Sequence, residues 1–254
     1  MERITSRTNP LLTHIRKLGA DRGYRGKQGE FLCDGGKLLE EAMKWKAEIT
    51  AVVTSELESL PEISGSARVI SVPGELLRSV SPLQNPQSVL FACRIPEWPM
   101  KDGEGRDRLI VLEGIQDPGN LGTVLRTADA FGMDRVILLP GCADPYNPKT
   151  VRATMGAVFR MPLSEMGYPE LKQFSLENGI SLYAAALDAD AEDVRAVKLQ
   201  RAAAVVGSEG SGISREARAL CRGCVKIPMA GRCESLNAAV AAAILMWEMN
   251  KDIL

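Results

Sequence analysis

Three segments combine residue types that can do chemistry, and all lie in the second half of the chain or just before it. In the first, Leu112-Glu-Gly-Ile-Gln-Asp-Pro-Gly-Asn-Leu-Gly-Thr-Val-Leu-Arg126, the stretch Asp117-Pro-Gly-Asn120 is turn chemistry, and Asn120 suits the N-cap of a helix over 121–131. Leu121, Val124, Leu125, Ala128 and Phe131 form its apolar stripe, and at about 100° per residue Arg126 projects almost opposite. Periodicity leaves two readings: a solvated arginine, or a guanidinium presented to a phosphate or a partner subunit. In the second segment, Val205-Val-Gly-Ser-Glu-Gly-Ser-Gly-Ile-Ser214, a buried strand runs into a loop with Gly207, Gly210 and Gly212. Glycines permit positive φ and let a ligand approach the backbone, so this is either a tight strand–helix turn or a small-molecule loop. Glu209 amid those glycines is not a packing residue. In the third, Val225-Lys-Ile-Pro-Met-Ala-Gly-Arg-Cys-Glu-Ser-Leu-Asn237, a strand ends at Ile227-Pro-Met229. Pro228 lacks an N–H and suits a chain leaving a sheet. Ser235 is a natural N-cap for a helix over 236–250, whose start offers unpaired N–H groups and a positive dipole end.

Composition removes other chemistries. His14 is the single histidine of 254 residues, so no site can use two His ligands, and a Ser-His-Asp hydrolase is disfavoured. Cys221-Arg-Gly-Cys224 has metal-like spacing with Cys233 nearby, but a four-ligand site lacks a fourth local donor; the cysteines read as reduced, packed thiols, and no metal is expected. Lys and Arg number 31 against 32 Asp and Glu, which excludes a binder working by bulk charge but not a local basic face. No apolar run approaches the roughly 20 residues of a membrane span. The opening Met1-Glu-Arg-Ile is not followed by the apolar stretch of a secretion signal, so a cytoplasmic protein without membrane attachment is expected.

The elements that must position these segments alternate. The polar, glycine-containing stretch 97–107 is aperiodic and reads as a linker between residues 1–96 and 108–254. The first part reads as a small α/β domain, with helices over 37–46 and 73–80 and strands over 49–54, 67–72 and 88–94. Ahead of them lies a basic opening, Arg3, Arg7, Arg16, Lys17, Arg22, Arg25 and Lys27 against Glu2, Asp21 and Glu30. Such a patch is either a solvated face or a phosphate-holding surface. The second part alternates strands over 109–112, 135–139, 180–186, 202–206 and 225–227 with helices over 121–131, 150–159, 171–178, 215–221 and 236–250. Continuously apolar strands in a βα alternation imply a mainly parallel sheet covered on both faces.

Taken together, Asn120-Leu-Gly-Thr-Val-Leu-Arg126, Gly207-Ser-Glu-Gly-Ser-Gly212 and Ile227-Pro-Met-Ala-Gly followed by Ser235-Leu-Asn237 resemble the SpoU/TrmH branch of the SPOUT superfamily, RNA ribose 2′-O-methyltransferases that use S-adenosylmethionine. Arg152-Ala-Thr-Met-Gly-Ala-Val-Phe159 looks like that family's central helix, and the resemblance covers about 108–250. The opening Ile4-Thr-Ser-Arg-Thr-Asn-Pro10, with Phe31-Leu-Cys-Asp-Gly-Gly36, looks like the ribosomal-protein-like substrate-binding domain that often precedes it, although Asp34-Gly-Gly stands where relatives tend to have Glu-Gly. The resemblance implies a deep trefoil knot in the C-terminal stretch, a fold otherwise nearly absent from proteins, and a homodimer with the active site near the subunit interface.

It also implies roles. Gly207, Gly210, Ile227, Met229 and Leu236 would contact S-adenosylmethionine. Arg126 would sit by the reactive hydroxyl and its phosphate, as an electrostatic stabiliser, because a guanidinium is too basic to act as a general base. Asn120 would position Arg126 or the ribose, Ser235 and Asn237 would bond loop or substrate, and Glu209, a phosphate or water would take the proton. Arg3, Arg7, Arg16, Lys17, Arg22, Arg25, Lys27 and Arg152 would contact RNA, with ribosomal RNA favoured over tRNA. A non-catalytic RNA-binding dimer of the same fold is the competing class. A Rossmann dehydrogenase is disfavoured, because its glycine fingerprint should follow the first strand, where Glu113-Gly-Ile-Gln-Asp-Pro stands instead.

Overall fold

A computed structural model describes residues 2–252 except 57–59, 64, 100–107, 189, 200, 209 and 232. The described chain divides into two compact units, 1–97 with 144–160, and 98–143 with 161–254. Residues 144–160, which chain order places in the second domain, therefore belong to the first unit.

In the first unit, strands β1 (Glu2–Arg3), β2 (Glu30–Asp34), β3 (Ile49–Thr54), β4 (Arg68–Ser71) and β5 (Val89–Arg94) form one mixed sheet in the order β1-β4-β3-β5-β2. The first three neighbours are parallel, and β5 runs antiparallel to both β3 and β2. Side chains alternate between two cores, as the period-2 geometry of a strand requires. Leu32, Val53, Leu90 and Ala92 meet Leu12, Ile15 and Leu18 of α1 (Pro10–Ala20) and Leu76 and Leu77 of α4 (Gly74–Val80). Phe31, Val52 and Phe91 meet Leu38 and Leu39 of α3 (Gly36–Lys44) together with Val151, Val158 and Phe159. The last three come from the 144–160 segment, whose side chains complete this second core. The helix expected over 150–159 is broken there. Helix α6 (Pro148–Ala153) gives way to Met155 at φ 50° and Gly156 at φ 95°, before a 3₁₀ turn over Ala157–Phe159. Two successive left-handed residues cannot continue an α-helix. Of the basic opening, Arg3 lies in β1 and Arg7 in a turn, while Arg16 and Lys17 lie in α1 and Arg22, Arg25 and Lys27 in α2 (Arg22–Gln28), which Asp21 caps by accepting from the Tyr24 N–H.

In the second unit, β6 (Arg108–Leu112), β7 (Arg135–Leu138), β8 (Leu163–Glu165), β9 (Ser181–Ala185), β10 (Glu192–Asp193), β11 (Ala202–Val206) and β12 (Gly223–Lys226) form an all-parallel sheet in the order β10-β12-β9-β11-β6-β7-β8. Every residue of β6 and β11 is buried. Ile110, Leu112, Ala204 and Val206 face α5 (Pro118–Ala130) and α9 (Ala238–Asn250). Leu109, Val111, Ala203 and Val205 face α7 (Tyr168–Asn178) and α8 (Arg215–Leu220). This is the doubly covered parallel α/β sheet that the apolar strands require. No helix among the described residues is long and apolar enough to cross a membrane.

Candidate functional site

Three neighbouring parallel strands, β12, β9 and β11, end on one edge of the sheet. Ligands of open parallel sheets bind outside such carboxyl ends. The chain after each strand lines a single cavity of about 500 Å³: 186–188 after β9, Gly207, Ser208 and 211–214 after β11, and Ile227, Met229, Ser235 and Leu236 after β12. Of the residues expected at a cofactor, Gly207, Ile227, Met229 and Leu236 line it, and so does Ser235. Gly210 does not: it is exposed, with open space where a Cβ would stand. Glu209 lies outside the described residues.

The glycine loop is shaped by its own backbone. A Cβ on Gly207 would lie 2.1 Å from the Gly212 carbonyl oxygen and 2.5 Å from the Ile213 nitrogen. Ser208 and Gly212 form an isolated bridge, and the Ser208 and Ser211 hydroxyls meet at 2.8 Å. Gly207 is therefore glycine because the returning strand of the loop crosses it, and the loop can present its peptide groups to the cavity only in that folded form.

Two helix caps differ from expectation. Helix α5 begins three residues early: Asp117 accepts from the Asn120 N–H at 2.8 Å, with Pro118 in the first turn. Proline's fixed φ and missing N–H suit that position. Asn120 is thereby released from capping. Helix α9 begins late: Asn237, rather than Ser235, is the N-cap, accepting from the Ala239 N–H at 2.9 Å and the Val240 N–H at 3.3 Å. The Asn237 amide also donates to Asn120 Oδ1 at 3.1 Å. Two of the expected catalytic residues are thus bonded to each other where α5 and α9 both begin. Phe131 and Trp247 meet at 5.7 Å where both end, so the helices pack parallel. Arg126 is exposed on α5.

A charged rim borders the cavity. Arg218 of α8 pairs with Asp188 at 3.4 Å, and the Cys224 thiol donates to the same carboxylate at 3.3 Å. Burial pushes the Cys221 thiol up to about 12 and, with the Asp188 hydrogen bond, the Cys224 thiol up to about 11. Both stay protonated at neutral pH. Among the described residues no group of three or more His, Cys, Asp or Glu could hold a metal ion.

In the first unit Arg3, Arg7, Arg16, Lys17, Arg22 and Lys27 are exposed. Arg25 is not available to a ligand. It is 3% exposed, its Nε donates to Asp144 at 2.9 Å, and its guanidinium also reaches the Leu18 carbonyl at 2.6 Å. Arg152 is likewise engaged, by Asp34 at 2.8 Å and the Asn85 carbonyl at 3.1 Å. Asp34, of the Asp34-Gly-Gly36 segment, is thus the partner of Arg152. His14 bonds Tyr24 at 2.9 Å and Glu30 at 2.8 Å, a structural role. Residues that sequence reasoning passed over include Asp188 and Arg218 at the rim and Glu113 behind the glycine loop; a carboxylate directly after the apolar run 109–112 was the available signal for the last.

Residues 107–247 match the SpoU rRNA Methylase family and residues 9–91 the MRM3-like substrate binding domain. The chain belongs to the SpoU rRNA methylase family. It is 30% identical over 250 residues, spanning 98% of this chain and 99% of the other, to the 23S rRNA (guanosine(2553)-2′-O)-methyltransferase RlmP of Bacillus subtilis. Its fold is similar to the AdoMet-bound rRNA methyltransferase of Sinorhizobium meliloti, with TM-score 0.89 and 30% identity over 100% of this chain and 98% of that one. It is also similar to the SpoU methyltransferase AviRb of Streptomyces viridochromogenes in complex with AdoMet, with TM-score 0.85 and 25% identity over 96% and 98%.

Proposed function

We propose that the protein transfers a methyl group from S-adenosylmethionine to the 2′-hydroxyl of a ribose in RNA, with ribosomal RNA as substrate. The observation that carries this is the convergence of Gly207, Ile227, Met229 and Leu236 on one cavity in a chain of this family. The cavity fits the cofactor: about 500 Å³ lies within the range of small-molecule sites, and its Val206, Ile227, Met229 and Leu236 walls suit an adenine between apolar faces. When bound there, S-adenosylmethionine supplies an electrophilic methyl carbon on a sulfonium. Peptide groups of Gly207, Ser208 and 211–214 on one side, and of Ile227, Met229, Ser235 and Leu236 on the other, would fix its orientation. Asn237, held by its cap bonds, fixes Asn120, and Asn120 orients the ribose or Arg126. Arg126 sits against the phosphate and the developing alkoxide, stabilising charge where it forms. The hydroxyl proton leaves to Glu209, a phosphate or water.

The exposed basic residues of the first unit, Arg3, Arg7, Arg16, Lys17, Arg22 and Lys27, are proposed to contact RNA phosphates. Dimerisation is proposed through the outer face of α9. Val240 and Trp247 are 48% and 47% exposed, and Ala243 and Ile244 lie between them at helical spacing. An uncovered apolar stripe of this kind marks an association surface. The C-terminal trefoil threading is proposed on family grounds. Incubating the purified protein with S-adenosylmethionine bearing a labelled methyl group and with ribosomal RNA or tRNA, followed by digestion and mass spectrometry, tests the function. A 2′-O-methylnucleoside from ribosomal RNA is expected. Binding of RNA without any 2′-O-methyl product would overturn the proposal in favour of an RNA-binding dimer.

A further inference from the structure

Glu113 is a buried carboxylate that the methyl-transfer scheme leaves unused. It follows the last residue of β6, is 5% exposed, and among the described residues has no ion-pair partner. A carboxylate out of water without a cation is costly unless hydrogen bonds hold it. Glu113 has such bonds, and they come from two elements. Its Oε2 accepts the Ser214 N–H at 2.8 Å, and its Oε1 accepts the Tyr168 hydroxyl of α7 at 2.6 Å. Its own N–H donates to Val206 O at 2.9 Å. The Tyr168 phenol is pushed up, chiefly by that bond to Glu113.

These contacts bracket the glycine loop. Val206 precedes the loop and Ser214 closes it, and both are fastened to one residue. Between them, the Gly212 carbonyl and Ile213 nitrogen lie against Gly207, and the loop wall belongs to the cavity. A displacement at Ser214 therefore passes through Ile213 and Gly212 to Gly207. Ser214 also lines the cavity and caps α8, accepting from the Ala217 N–H at 3.1 Å.

We propose that Glu113 is a positioning residue for the cofactor: by holding the Ser214 N–H and the Tyr168 hydroxyl together it keeps the 212–214 end of the loop against Gly207, the wall against which S-adenosylmethionine binds. This rests on the methyl-transfer reading and assigns a residue to one of the reaction's two substrates. Glutamine at this position keeps the shape but has only one acceptor oxygen, so one donor faces an amide N–H. Charge-assisted bonds to a buried carboxylate are the strong kind.

The test is calorimetric titration of the full chain with S-adenosylmethionine, together with steady-state methylation of ribosomal RNA, for wild type, Glu113→Gln and Tyr168→Phe. Expected for Glu113→Gln are a Kd and a KM for S-adenosylmethionine raised about tenfold, with the KM for RNA unchanged and kcat recovered at saturating cofactor. Tyr168→Phe removes one hydroxyl and leaves the Ser214 bond; it should raise the same two constants about threefold. Should Glu113→Gln fail to fold, the Tyr168→Phe result decides alone. A wild type that binds S-adenosylmethionine while both folded variants bind it equally well overturns the role of Glu113 and leaves the methyl-transfer reading intact. A loss of kcat that saturating cofactor does not recover also overturns it. No binding by wild type overturns both.

Discussion

At the scale of single residues, two glycines of one loop separate structural need from cofactor contact. Gly207 admits no side chain, because the Gly212 carbonyl occupies the Cβ position, whereas Gly210 faces open space. Gly207→Ala should destabilise the protein by about 1–3 kcal/mol, as overpacking does, and abolish S-adenosylmethionine binding. Gly210→Ala should stay within about 0.5 kcal/mol of wild type. Urea denaturation with calorimetry of cofactor binding reads both, and equal behaviour of the two variants would show that crowding at Gly207 does not shape the loop. Arg126 yields a different signature. It is exposed on α5, so its loss should cost little stability. Arg126→Lys keeps the charge but loses the planar fork that suits a phosphate, and Arg126→Ala loses both. We expect kcat reduced by about 100-fold or more in Arg126→Ala, a lesser but clear loss in Arg126→Lys, and unaltered cofactor affinity; near-normal turnover of Arg126→Ala would remove it from the reaction. Type and place single out Gly207 and Arg126 as candidates in the sequence. They could not show why Arg25 differs from its basic neighbours, because the Asp144 that engages it is 119 residues away.

At the scale of elements, the strongly periodic segments were legible and their ends were not. The strands over 49–54 and 202–206 lie where composition puts them, since unbroken apolar runs bounded by polar turns have one solution. The caps were misplaced, because Asp117, Asn120, Ser235 and Asn237 are all competent cap residues by type, and only packing chooses among them. That choice has a consequence. With Asp117 capping α5 and Asn237 capping α9, the Asn237 amide donates to Asn120 Oδ1. Capping and positioning can be separated by substitution. Asn237→Ala should cost about 1 kcal/mol of stability and lower turnover. Asn237→Ser restores a cap but is too short to reach Asn120, so it should recover the melting temperature and not the turnover. Parallel recovery of both would mean that Asn237 serves only as a cap.

At the scale of the whole molecule, the chain divides into two compact units, most of the linker expected over 97–107 lies outside the described residues, and the assignment of 144–160 to the first unit was not legible. Its Val151, Val158 and Phe159 could equally cover either sheet by pattern alone, and the buried Arg25–Asp144 pair that marks its place joins residues no local rule connects. Assembly poses the same kind of question. Helix α9 is apolar on nearly every side, which is expected of a helix covered all round, yet Val240 and Trp247 stand half-exposed. A second copy of the chain would cover them. Val240→Glu with Trp247→Glu places charge on that stripe and removes the Trp247–Phe131 contact, leaving Ala242, Leu245 and Met246 of the core unchanged. The expected outcome is a folded chain that sediments as a monomer where wild type sediments as a dimer, with methyl transfer to RNA lost while the melting transition remains cooperative. Wild type sedimenting as a monomer at assay concentration and still methylating RNA would show that each chain works alone and that the stripe serves another partner.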